Sequence, residues 1–423
     1  MKKNTHNPWT PQDEGDHNPV MKEWWTAETF FTSEDKRKWN LIASFAYKGQ
    51  KKECFFQYVL FDITNNICVA SQELPDNIQS IHTHKNRLAV TYKQSFLRGL
   101  YPDYNLHIED EENNILFDVN YQAKVPPHWV LQPITNGYLP IGLNNYRYGF
   151  LPYATITGTL RVNDQTQKIN GKGYLEHAYG NWSYTQPIAA LKNVSKTFRI
   201  YKKLFSHWLS QKTLHIPRHL SFTTENNVYG YDWLWAVFEN DWSLFFGNSM
   251  FYLRAGPSFG ALYLTDENGA YHEFSDVSFS YLGEHYLPDF DMYFPTGYEL
   301  IGKNGEETIH LQCKSATTPY VYIDRYKGDP HYRAWVLCEM PGTIKARYVD
   351  KAGEKTLLGD CKLVPLRIPS KFGHNRLDID INRKKRNKEI KLNLDSNYFE
   401  KTVTTHFRLS MPPHLKIKIY NKK

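Results

Sequence analysis

The sequence predicts an all-β protein with two core-bearing domains, and three observations predict it. Runs of β-branched and aromatic residues of strand length recur at regular spacing, with turn residues between them. Aromatic content is 15%, with 30 Tyr, 24 Phe and 11 Trp. Such a load suits sheets and apolar pockets with polar rims, because Tyr and Trp join a flat apolar body to one polar tip. Finally, 423 residues are too many for one small barrel.

The elements follow in order. Residues 1–20 are polar and proline-bearing without periodicity, and are expected to be disordered. From Glu23 the character changes. Trp39–Tyr47, Glu53–Phe61, Asn86–Tyr92, Asn105–Glu109 and Asn114–Tyr121 read as strands, with turns at Thr64-Asn65-Asn66 and Glu111–Asn114. Short, evenly spaced strands indicate a sandwich or barrel. Tyr153–Val162, a hairpin at Asn163-Asp164-Gln165 and Lys168–Tyr179 continue the pattern to about residue 186. Residues 187–213 break it. Ile188, Leu191, Val194, Phe198, Tyr201, Leu204, Phe205, Trp208 and Leu209 recur at spacings of three and four, which predicts an amphipathic helix with a basic polar face, in one piece or two. An insertion over 187–224 therefore separates the two halves. Strands resume near residue 225, at Tyr231–Phe238, Ser243–Phe246, Ser249–Arg254, Phe259–Thr265, Tyr271–Phe279, Tyr298–Ile301, Trp335–Cys338 and Thr343–Val349. Beyond about residue 360 the chain reads as further strands with basic decoration, an extension of the 225–423 half.

Charge and cysteine use narrow the function. The formal net charge is +7, but from His177 to Thr224 there is no Asp or Glu at all, while Lys192, Lys196, Arg199, Lys202, Lys203, Lys212 and Arg218 fall there. Arg383-Lys384-Lys385-Arg386 forms a second basic cluster. Such patches draw anionic partners or serve as solvated surface. They sit on one helix and one turn rather than on an aromatic-studded sheet face, so nucleic acid is not the expected partner. The five cysteines, Cys54, Cys68, Cys313, Cys338 and Cys361, are scattered without CxxC spacing, which argues against a disulfide framework or a thiolate zinc site and for a reducing, cytoplasmic setting. No run approaches the roughly 18–20 apolar residues of a spanning helix. The N-terminal lysines have no apolar stretch after them, so no secretory signal is expected. The chain holds no GxGxxG, GxxxxGK[ST], HExxH or GxSxG, which removes support for Rossmann hydride transfer, nucleotide hydrolysis and serine hydrolysis.

One strand carries candidate chemistry. In Gly171–Gly180, alternation places Tyr174 and Glu176 on one face and Leu175 and His177 on the other. Burial raises a carboxyl pKa, so a neutral Glu176 beside a phenol is a candidate general acid. The same spacing describes a buried Glu hydrogen-bonded to Tyr or His for structure alone, and both readings stand at this point. Tyr231, Trp233 and Trp235 share a face, as a stacking wall or a carbocation-stabilising one, or as ordinary core packing. Asp232 is expected to point the other way, to the surface or a domain contact. Glu23-Trp24-Trp25 is a third aromatic cluster. His82 and His84 have chelating i, i+2 spacing without a third ligand, so no metal is expected.

Taken together, Glu23-Trp24-Trp25, then Tyr153, then Gly173–Gly180, then Tyr231–Trp235 resemble the lipocalin-like carotenoid 1,2-hydratase family, also called hydroxyneurosporene synthase or AttH-like. The likeness extends over roughly residues 22–350. It implies two lipocalin-like antiparallel barrels packed side by side, with the helical insertion between them and a ligand at or near their junction. It also implies cofactor-independent hydration of an isoprenoid double bond, or the cyclase and pericyclase chemistry of relatives acting on polyenes. On this resemblance Glu176 is the acid that protonates an alkene, Tyr174 its aromatic companion and His177 an orienting residue. Trp24, Trp25, Tyr153, Tyr231, Trp233 and Trp235 line the substrate. The family acid is usually Asp and its aromatic often Trp, whereas this chain has Glu176 and Tyr174. The segment 187–213 and the tail are additions to the family pattern. A basic amphipathic helix of this kind suits peripheral contact with the inner membrane face and collection of a lipid substrate. The alternative is a non-catalytic carrier of a hydrophobic small molecule.

Overall fold

The structure, a computed structural model, describes residues 9–49, 52–183, 191–210, 219–223, 227–249, 255–258, 260–328, 332–369, 375–384, 387–398, 401–411 and 414–421. Antiparallel strands dominate it, in two large sheets and one smaller one. The expected two-barrel, all-β architecture is the one observed.

One of the two large sheets is nearly barrel-shaped, and the first sheet has 13 strands. Its middle is a long-range pairing. Lys22–Ser33 lies between Lys38–Lys48 and Gln165–Asn181, and Gln165–Asn181 also pairs with Asn144–Val162. Alternation divides the side chains. Trp25, Ala27 and Phe31 join Trp39, Phe45 and Tyr58 in the barrel core, while Phe30 and Tyr174 face outward. Gly173 sits where a Cβ would lie 2.4 Å from Cε1 of Tyr121, so only glycine lets the barrel ring pack that close to the strand.

The second sheet has 11 strands around Asn227–Phe238, which pairs with Gly353–Pro369 and Ser243–Ser249. Leu234, Ala236 and Phe238 enter its own core. Trp235 and Val237, on the other face, meet Phe30, Phe150 and Tyr174 of the first sheet. Trp235 donates its Nε1 proton to the Pro152 carbonyl at 3.1 Å across this junction. A buried ionic group also spans it. Lys362 Nζ donates to Asn40 Oδ1 at 2.9 Å and lies 3.2 Å from Glu339 and 3.9 Å from Glu28.

Several expectations are corrected. Residues 9–20 are not disordered: Pro11–Glu14 is a short 3-10 helix, and the segment straps across the first barrel because buried side chains anchor it. Residues 1–8 lie outside the described part. The insertion is not wholly helical. Helix Val194–Ser210 follows a 3-10 turn at Leu191–Asn193, and His219–Thr223 is a strand. That strand pairs with Asn375–Lys384 in a five-stranded sheet that the C-terminal strands complete, so the tail forms a sheet of its own rather than extending the second barrel. Residues 187–190 and 211–213, with Lys385 and Arg386, lie outside the described residues. Asp232 is not at the surface. It is buried against Arg367 Nη2 at 2.9 Å and accepts the Tyr281 hydroxyl at 2.7 Å.

Candidate active site

Glu176 lies in Gln165–Asn181, where cross-strand pairing sets it opposite Thr26 on one side and Phe150 on the other. Its side chain points to the junction face and meets a cage of rings. Trp24 Nε1 donates to Oε1 at 3.0 Å. The Tyr174 hydroxyl donates to Oε2 at 3.1 Å, and Tyr148 donates to the same oxygen. The Tyr148 and Tyr174 oxygens lie 2.8 Å apart, so either hydroxyl can donate to the other in place of the carboxyl. From the second sheet, Trp233 Nε1 donates to the Tyr148 oxygen at 3.0 Å. Tyr174 and Tyr148 are buried, whereas Glu176, Trp24 and Trp233 are half-buried, so the cage has a closed floor and an open side.

Two influences act on the carboxyl. Burial raises its pKa above the ordinary value, and the hydrogen bonds from Tyr148, Trp24 and Tyr174 pull it back without cancelling the rise. Burial also pushes the Tyr148 and Tyr174 phenols well up, so both stay protonated donors. The arrangement is a carboxyl whose burial favours its protonated form, held by phenol hydroxyls and faced by aromatic rings. It can protonate an apolar ligand, and the ring faces can stabilise a cation.

His177 is on the opposite face of the same strand, as alternation requires. Its Nδ1 meets the Asp13 carbonyl at 2.8 Å and its Nε2 meets Glu23 Oε1 at 2.8 Å. His17 Nδ1 reaches the same oxygen at 2.9 Å. Burial pushes the Glu23 carboxyl up, but the hydrogen bonds and charge of His17 and His177 outweigh it and bring it down to about 2. His17, Glu23 and His177 present ligand atoms within 4.8 Å of one another, a set with the composition of a metal centre. Sequence reasoning missed it because His17 lies in the strap. In the structure its members bond to each other. His82 and His84 are both exposed, and His84 Nδ1 accepts from the Asn86 amide.

The structure thus brings together Trp24, Tyr174, Glu176 and Trp233, and adds Tyr148. Trp235 backs the cage, 5.3 Å from Tyr174 between ring centroids. Three residues fall elsewhere. Trp25 stacks on His177 at 4.9 Å and donates to the Glu14 carbonyl on the strap side. Tyr153 donates to Asp241 at 2.9 Å, and Tyr231 packs with Leu337, Val364 and Leu366. A separate open cleft of about 460 Å³, lined by residues including Phe56, Tyr92 and Glu109, shares no residue with the cage.

Comparison with known proteins gives the class. No family model matches the chain, and no curated protein matches it. Among solved structures it is similar to an AttH-like protein of Nitrosomonas europaea, with 13% identity, a TM-score of 0.57, and 84% of this chain and 95% of that one covered. It is similar to kievitone hydratase of Nectria haematococca, with 12% identity, a TM-score of 0.56, and 86% and 94% covered. CghA, solved with Sch210972, gives 9% identity, a TM-score of 0.50, and 82% and 88% covered. At these identities the likeness is one of fold. The chain has the AttH-like two-barrel fold.

Proposed function

We propose that this protein is a cofactor-independent enzyme that protonates a double bond of an isoprenoid or polyene from Glu176, leading to hydration, isomerisation or cyclisation. One observation carries the reading: a carboxyl of raised pKa is held among ring faces at the junction of two barrels. The fold it shares with a hydratase supports the same direction.

In this reading the Glu176 proton adds to one alkene carbon and the π electrons form the new C–H bond. The other carbon becomes a cation facing Trp24 and Trp233. Water or an internal nucleophile attacks it, and the Glu176 carboxylate takes up the proton released, which restores the acid. Tyr148 and Tyr174 hold the carboxyl in place throughout.

The test starts with lipids co-purified from the protein's own host, identified by native mass spectrometry and offered back to wild type and Glu176→Gln. Glu176→Gln is expected to bind the ligand and lose at least about a hundredfold in turnover. A wild type that binds without converting any such compound would make the protein a carrier instead.

A further inference from the structure

We infer that the outer face of helix Val194–Ser210 is a docking surface for an anionic lipid bilayer. The helix is turned the wrong way for one that simply faces water. Among its described side chains Thr197 and Ile200 are the buried ones, and Thr197 Oγ1 accepts from Asn145 Nδ2 at 2.9 Å. A second set of apolar residues lies exposed along the helix, with Tyr201 at its edge. Leu191 is 80% exposed, Phe198 57%, Phe205 57% and Tyr201 41%. Their spacing of three, four and seven residues puts them in one stripe along the helix. An amphipathic helix on a water-facing surface normally hides such a stripe against the core.

Charge selects the occupant. Lys192, Arg199, Lys202 and Lys203 are exposed beside the stripe, and no Asp or Glu occurs between His177 and Thr224. Aromatic and aliphatic side chains flanked by lysines match the boundary between acyl chains and anionic headgroups. A nucleic acid would use the cations and leave the stripe in water. No helix among the described residues is long and apolar enough to cross a membrane, so the contact is peripheral as far as helices are concerned.

The placement also connects the helix to the cage. The Tyr201 hydroxyl donates to the Gly142 carbonyl at 2.9 Å, holding the helix beside Asn144–Val162. From that strand, Tyr146 contacts Trp182 at 5.2 Å, and Trp182 contacts Trp24 at 5.2 Å. An aromatic path therefore runs from the foot of the helix to the ring that binds Glu176. Docking itself does not rest on any chemistry at Glu176.

The experiment is vesicle co-sedimentation of the full chain with phosphatidylcholine alone and with phosphatidylserine added. Wild type should sediment with the anionic vesicles and be released by salt. Phe198→Asp, and separately Lys202→Glu with Lys203→Glu, should each weaken partitioning at least about tenfold, with far-ultraviolet circular dichroism and melting unchanged, since these side chains point outward. Glu176→Gln should bind vesicles like wild type, which separates this inference from the proposed reaction. Equal sedimentation of wild type and both variants would overturn it, as would a wild type that ignores both vesicle types. A concentration-dependent dimer that Phe198→Asp dissolves, without vesicle binding, would assign the face to a second copy of the chain and also overturn it.

Discussion

The Glu176 carboxyl is set by burial against four hydrogen bonds, and Tyr148 supplies one of them. Tyr148→Phe removes a bond that favours the ionised form. The Glu176 pKa should therefore rise further. In the proposed reaction the protonated carboxyl is the working form, so the alkaline limb of kcat/KM should move to higher pH, while turnover falls through lost positioning. A pH profile of wild type and variant checks this. The same change leaves half-buried Trp233 Nε1 without its acceptor, at a cost of about 1 kcal/mol in stability. The shared face of Tyr174 and Glu176, and the face of Trp233, were legible from two-residue alternation, whereas Trp24 came only from the family resemblance. Tyr148 was not, because Asn144–Val162 carries a register shift between Leu151 and Ala154, and only the part after it reads as a strand. The alternation of Tyr146, Tyr148 and Phe150 was the available signal.

The strap shows how an element without periodicity becomes ordered. Trp9 stacks on Trp129 at 4.4 Å, the Tyr104 hydroxyl donates to Glu14 at 2.8 Å, and His177 holds the Asp13 carbonyl. Those partners lie more than 80 positions away in sequence, so composition alone reads as disorder. Glu14 makes the strap sensitive to pH. Burial raises its carboxyl from 4.5 to about 7, against the hydrogen bonds of Tyr104 and Trp9. Between those values the unfolded chain is ionised and the folded chain protonated, so the native state binds the extra proton and stability falls as pH rises. Glu14→Gln should flatten that part of the stability curve, by roughly 2 kcal/mol at its alkaline end. Urea melts of both proteins from about pH 5 to about pH 8 measure it. The helix was legible in its period and basic character. Which face turns outward was not, since that depends on Asn145 offering a polar seat to Thr197.

Across the whole molecule, the two sheets are joined by rings and by one buried cation. Burial pushes the Glu28 carboxyl up to about 8, with Lys362 opposing and Glu339 reinforcing the rise. Lys362→Met removes the charge that compensates these carboxyls and should cost about 3 kcal/mol, seen as a lower urea midpoint. The two-barrel plan was legible because strand texture repeats on either side of the helix. The third sheet was not, since it pairs His219–Thr223 with Asn375–Lys384 across the entire second barrel. No local pattern announces a partner that distant.

The opposed faces of Gln165–Asn181 have a consequence for how this chain can change length over generations. The turn before that strand is Asn163-Asp164, both in left-handed conformation at φ 49 and 63, and it fixes Val162 opposite Gln165. Thirteen positions downstream of Asn163, the same count decides that Glu176 enters the rings and His177 the strap. A slip of one residue exchanges them and puts an imidazole where the carboxyl sits. An insertion that shifts this strand by an odd number would exchange its two faces, so the count of residues from the turn to Glu176 is as necessary to the arrangement as Glu176 itself.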